Sequence, residues 1–107
     1  MRNKFMRILV LFDLPVKEES ERKIYAKFRK YLINEGYDMI QYSVYTRICN
    51  GYDSVTKYMS RLEKKVPEKG SIRVIVLTDK QYSSMKIFIG NSTNQEKYLK
   101  NEMLSIF

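Results

Sequence analysis

At 107 residues with 44% hydrophobic content the chain is one globular domain, too short for two, and no stretch approaches the ~20 consecutive apolar residues that span a bilayer. One cysteine, Cys49, excludes an intrachain disulfide, and the lack of any histidine excludes a zinc site of the usual Cys/His kind and leaves hydrolytic chemistry to carboxylates, tyrosines or a hard cation such as magnesium. Twenty Lys and Arg against twelve Asp and Glu give +8, which with nine tyrosines and five phenylalanines points to a polyanionic partner, nucleic acid first and acidic protein second.

Residues 1–5 form a short basic lead-in without the apolar core and small-residue cleavage site of an export signal, so a cytoplasmic protein is expected. The run Met6 to Phe12 reads as a buried strand and stops at Asp13-Leu14-Pro15. Asp13 therefore sits at the strand's C-terminal tip, where layered α/β structures commonly hold ligands and metals. The plainer alternative is a polar residue ending a strand before a proline turn. Acidic residues at 18–21 suit a helix N-terminus, and Ile24, Phe28, Tyr31 and Leu32 form a stripe at helical period that Gly36 closes. Arg22, Lys23, Lys27, Arg29 and Lys30 fall on its outward face.

Met39 to Cys49 is rich in β-branched and aromatic residues and predicts one long strand, bulged or broken, ended by Asn50-Gly51. Asp53 or Ser54 then caps a second helix with apolar positions Val55, Tyr58, Met59, Leu62 and Val66, stopped by Pro67 and Gly70. Ile72 to Leu77 is another strand, 78–84 a loop, and Met85 to Ile89 a short strand ending at Gly90. The polar linker 91–95 separates a domain spanning 1–90 from a tail spanning 91–107. There Thr93 and Glu96 have capping-box spacing for a short helix around 94–101, followed by an apolar end.

The order strand, helix, strand, helix, strand, strand suits an α+β two-layer sandwich of ferredoxin-like kind. Two helices cover only one face of such a sheet. Yet the first strand is apolar on both alternating sets, Ile8/Val10/Phe12 and Leu9/Leu11, and so is 72–77. A second surface must cover the other face, and a second copy of the chain is the economical one, giving a face-to-face homodimer whose apolar tail adds a strand to the partner's sheet edge.

Leu11-Phe12-Asp13-Leu14-Pro15, the basic first helix ending at Gly36, and above all Gln41-Tyr42-Ser43-Val44-Tyr45 together resemble the family of CRISPR-associated protein two. Thr78-Asp79-Lys80-Gln81-Tyr82 looks like its type II branch. The resemblance covers roughly residues 6 to 90. It implies a ferredoxin-like dimer with the two Asp13 residues facing one another across the two-fold axis, acting in CRISPR adaptation, a part of antiviral defence. Members are described as metal-dependent nucleases acting on RNA or duplex DNA, and as the scaffold that bridges the integrase subunit, CRISPR-associated protein one, around prespacer DNA. The sequence departs at Met39, where some members have arginine.

Two carboxylates brought together at an axis repel and recruit a cation; magnesium between Asp13 and its symmetry mate makes Asp13 both metal ligand and candidate catalytic residue of an endonuclease. One carboxylate per chain is sparse for such an enzyme, and Asp38, Asp53 and Asp79 fall in predicted turns or caps. The scaffold reading needs only charge: a pair of chains, each at +8, holds a duplex by its phosphates, with Lys17, Arg22, Arg47, Arg73 and Lys86 as candidate nucleic-acid contacts. A four-stranded RNA-binding module predicts exposed aromatics within a basic, glycine-containing signature, which is absent here.

Overall fold

The computed structural model describes residues 5–90. Its elements run β1 (Phe5–Asp13), α1 (Glu19–Asn34), β2 (Asp38–Gln41), β3 (Val44–Asn50), α2 (Tyr52–Glu63), β4 (Ser71–Thr78) and α3 (Asp79–Ser83). The strands pair antiparallel in the order β2-β3-β1-β4, so β1 lies between β3 and β4. With α1 and α2 packed on one face, this is the ferredoxin-like α+β sandwich that the element order implied. No helix among the described residues is long and apolar enough to cross a membrane.

Strand alternation sorts the first strand into two rows. Met6, Ile8, Val10 and Phe12 point to the helices, opposite Cys49, Arg47 and Tyr45 of β3 and Val76, Val74 and Ile72 of β4. Ile8 and Val10 are fully buried there. Phe12 anchors the row: its ring lies 5.6 Å from Tyr25, 5.2 Å edge-on to Phe28 and 5.7 Å from Tyr45, centroid to centroid. The stripe that α1 buries is Tyr25, Phe28 and Leu32 rather than one starting at Ile24, which is left 48% exposed. The large ring at Tyr25 reaches Phe12 and takes the place that helical spacing alone gave to its neighbour.

Further expectations are corrected. The single strand over 39–49 is a hairpin, β2 and β3, joined through Tyr42-Ser43, with a bulge between Met39 and Gln41. Ser43 has a positive φ of 58°, and its hydroxyl is 3.1 Å from the Tyr25 hydroxyl. The loop at 78–84 contains α3, whose first turn is closed by reciprocal bonds: Gln81 N–H donates to Thr78 Oγ1 and Thr78 N–H to Gln81 Oε1. Met85 to Gly90 form no strand; Ile87, Phe88 and Ile89 are 79%, 89% and 66% exposed. The segment pairs with no strand among the described residues, although the outer edges of β2 and β4 are open there. In α2 the N-terminal cap is Gly51, not Asp53 or Ser54, and Val66 lies beyond the helix, exposed. The tail, with its helix at 94–101 and its final strand, lies outside the described residues.

Candidate functional site

The second row of β1, Phe5, Arg7, Leu9, Leu11 and Asp13, faces away from α1 and α2. Opposite it lie Asn50, Ile48, Thr46 and Val44 of β3 and Leu77, Ile75, Arg73 and Ser71 of β4. Phe5, Leu11, Ile48 and Ile75 are each between 37% and 49% exposed, a run of aliphatic and aromatic surface across the three strands. At one end α3 leans over this face: Arg7 Nε donates to Asp79 Oδ1 at 3.0 Å and its guanidinium lies 4.4 Å over the Tyr82 ring. Asp13 stands at the other end, exposed, opposite Ser71.

Three features fix Asp13. Phe12 N–H donates to the Ser43 carbonyl at 3.1 Å, so the hairpin turn ties down the end of β1. Gly70, with φ +97°, brings the start of β4 against the same backbone: a Cβ there would stand 2.7 Å from the Asp13 carbonyl oxygen and 2.6 Å from Leu14 Cδ2. Arg22 Nη1 donates to the carbonyls of Val16 (3.1 Å) and Lys17 (2.6 Å), holding the loop that follows Asp13 against the first turns of α1. The chain thus clamps the strand tip from three directions while leaving the carboxylate in solvent. Asp13 has no ion pair among the described residues.

The fold gathers Asp13, Lys17, Arg22 and Arg73 at this end of the sheet. Arg73 is exposed on the open face opposite Leu11, one diagonal step from Asp13. Lys86 is exposed beyond α3, at the opposite end. Arg47 faces the helices instead: Nε donates to the Glu35 carbonyl at 2.7 Å, Nη1 to the Ile48 carbonyl at 2.7 Å, and the guanidinium lies 3.4 Å over the Tyr58 ring. Its donors join β3 to the end of α1, and its stacked guanidinium adds α2. Glu35 in turn accepts two bonds from Arg61, Nε at 2.8 Å and Nη2, and that carboxylate raises the Arg61 guanidinium further above its usual range. Ser43, Tyr25 and Gly70 were not singled out as site residues from sequence; a glycine directly ahead of an apolar strand was the one local signal.

The other carboxylates do not join Asp13. Asp79 is committed to Arg7, about 20 Å away at ~3.3 Å per strand residue. Asp53 lies in the first turn of α2, and Asp38 is on β2 opposite Thr46. Among the described residues no three His, Cys, Asp or Glu side chains come together as a ligand set. Magnesium keeps several waters and takes one or two carboxylates, and a lone Asp13 would supply one such ligand.

The model of the family described as CRISPR associated protein Cas2 matches residues 6–85, which include all of β1 but Phe5, both long helices and the hairpin. A CRISPR-associated endoribonuclease Cas2 of Acidovorax ebreus (strain TPSY) is 48% identical over 102 residues, covering 95% of this chain and 100% of the relative. One of Ligilactobacillus salivarius (strain UCC118) is 47% identical over 90 residues, 84% of this chain and 89% of its own length. One of Campylobacter jejuni subsp. jejuni serotype O:2 is 38% identical over 107 residues, 100% of this chain and 75% of its own. With the family model matched over residues 6–85 and relatives this similar along most of their length, the chain belongs to the CRISPR-associated Cas2 family.

Proposed function

We propose that the chain acts in CRISPR adaptation as half of a face-to-face homodimer, which holds duplex prespacer DNA by its phosphates and bridges copies of the integrase subunit, CRISPR-associated protein one. The observation that carries this reading is the open sheet face, where Phe5, Leu11, Ile48 and Ile75 stay exposed in a single chain while the opposite face is filled by helices. A contiguous apolar surface of this kind is covered in a working soluble protein, and self-complementary covering by a two-fold axis is the commonest solution. Exposed Ile87, Phe88 and Ile89 suit addition to the partner's sheet edge. Lys17, Arg22 and Arg73 at the Asp13 end and Lys86 at the other supply phosphate contacts without base reading. The integrase partner rests on the family resemblance alone.

A second reading has its own support. The relatives are named endoribonucleases, and Asp13 is the one carboxylate on the open row of β1, so a two-fold axis through that face brings two copies toward each other. A magnesium ion held between them supplies Lewis-acid and water-activating chemistry for phosphodiester cleavage of RNA or DNA. This chain's part is to present the carboxylate: Ser43, Gly70 and Arg22 hold the strand tip so that it projects from a fixed backbone.

The deciding experiment measures wild type and Asp13→Asn side by side for solution mass, magnesium-dependent cleavage of RNA and duplex DNA, and prespacer integration with the partner subunit. The scaffold reading expects a dimer for both proteins and integration retained in the variant. Loss of cleavage with integration intact assigns a nuclease to Asp13 beside the scaffold role. Collapse of integration in a variant that still folds, dimerises and binds its partner overturns the scaffold-only account, and a stable monomer overturns the face-to-face dimer.

A further inference from the structure

The valley between α1 and the C-terminal end of α2, on the helix layer away from Asp13, is lined by Lys27, Lys30, Asn34, Arg61, Lys64 and Lys65, with Tyr31 and Glu35 at its floor and a volume of about 500 Å³. Its one carboxylate is already taken: Glu35 is bound two-pronged by Arg61, and its main-chain carbonyl holds Arg47. Those bonds fix α1 to α2 and β3, so the valley has a set width. Lys27, Lys30, Lys64 and Lys65 have no ion pair among the described residues. A neighbouring groove shares Lys27, Tyr31, Lys64 and Lys65 and continues past Lys69 toward Pro15, but there Glu21, Glu68 and apolar side chains such as Ile24 and Val66 join the lining, so the uncompensated charge is confined to the valley itself.

From this uncompensated charge we infer that the valley is a second phosphate-binding surface, which takes the sugar-phosphate backbone of a nucleic acid independently of the Asp13 end of the sheet. Lys64 and Lys65 at the end of α2 are partly accounted for by that helix's negative pole. Lys27 and Lys30 are not, since they lie mid-helix, three residues apart on neighbouring positions, where like charges repel. A polyanion relieves that repulsion. Lysine ammoniums on flexible stems suit phosphates met as point charges without sequence reading. An acidic protein segment would need an apolar anchor to be held with specificity, and this part of the valley offers none beyond the Tyr31 ring. In a sheet-to-sheet dimer the two valleys point outward on opposite sides, so a nucleic acid held there is a different segment from one at the axis; that consequence rests on the proposed dimer, while the valley itself does not.

The test uses the full chain and a fluorescently labelled DNA duplex, with affinity followed by anisotropy between about 50 and 200 mM salt. The variant Lys27→Gln/Lys30→Gln/Lys64→Gln/Lys65→Gln is compared with wild type and with Lys17→Gln/Arg73→Gln. Because each neutralised phosphate contributes about 0.9 to the slope of log affinity against log salt, the valley variant is expected to lose about 2–4 from the slope and at least tenfold in affinity. The double variant Lys27→Gln/Lys30→Gln is expected to lose about half as much slope; it keeps the α2 cations and serves if the fourfold variant does not fold. An unchanged slope in folded valley variants, with binding weakened in Lys17→Gln/Arg73→Gln, overturns the inference and leaves the proposed function standing. No duplex binding by wild type overturns both. Displacement by poly-glutamate as effective as displacement by unlabelled duplex of equal charge assigns the valley to an acidic protein and likewise overturns the inference.

Discussion

Gly70→Ala tests how tightly the strand tip is built. The new Cβ would meet Leu14 Cδ2 at 2.6 Å, the Asp13 carbonyl oxygen at 2.7 Å and Leu14 Cα at 3.1 Å. Two of these are backbone atoms of the segment that ends β1, so the overlap cannot be relieved by turning one side chain. A non-glycine residue held at positive φ costs about 1–3 kcal/mol. Overpacking a filled site costs about 1–3 kcal/mol more, for a total of about 2–6 kcal/mol against a whole-domain stability of about 5–15 kcal/mol. Gly51→Ala is the control: its φ is +92°, yet nothing lies within 4 Å of the added Cβ, so it carries the backbone term alone. Urea unfolding at one fixed protomer concentration measures both, because a dimer makes the midpoint concentration-dependent. Gly70→Ala is expected to be the more destabilised of the two by about 1–3 kcal/mol. Equal losses would show that β4 can back away from Asp13 freely, and the account of a clamped carboxylate would fail with it.

Arg47→Ala should cost about 1.5–3 kcal/mol in the same assay, through its charged bonds to main-chain carbonyls, and leave duplex affinity unchanged; a drop in affinity without loss of stability would return Arg47 to the nucleic-acid surface. Ile75→Lys should leave a folded chain, because the side chain is 49% exposed in one protomer, while shifting solution mass from dimer to monomer; a persistent dimer would place the interface elsewhere. Stability should fall as pH rises above about 10: burial, aided by the nearby Tyr31 phenol, holds the Tyr37 phenol well above its ordinary value, and burial also raises Tyr45 and Tyr31. The unfolded chain therefore releases protons that the folded chain keeps, and the stabilisation, complete below pH ~10, is lost above it. Tyr37→Phe should make that alkaline decline shallower in unfolding midpoints followed across the range.

The sandwich was legible because β1 and both long helices carry strong local patterns: an apolar run closed by a proline, and stripes closed by glycine. The hairpin was not. Its turn, Tyr42-Ser43, contains no glycine, proline or asparagine, and it is held by partners distant in sequence, the Tyr25 hydroxyl and the Phe12 amide. The segment 85–89 failed in the opposite sense, since it has the composition of a strand but pairs with no strand among the described residues. Arg47 could have been placed by parity: it alternates in step with Tyr45 and Cys49, both buried, so a strand through these residues turns its arginine toward the helices. Thr78 and Gln81 have capping-box spacing in plain sight, but a helix of one turn leaves no periodic stripe to accompany it.

Parity also fixes which face Asp13 shares. It shares its row with Leu11 and Leu9, not with Phe12, so the carboxylate and the apolar surface that calls for a second chain lie on one face of one strand. In the proposed face-to-face dimer, covering that face and gathering carboxylates would be a single event: a protomer offers one oxygen-ligand residue at the strand tip, and two protomers joined through Leu11, Ile48 and Ile75 would offer two. On that proposal, nuclease chemistry at Asp13 depends on both chains, and substitutions that separate them are expected to abolish it as completely as removal of the carboxylate does. Phosphate binding in the valley between α1 and α2 carries no such dependence, because every residue that forms it comes from one chain.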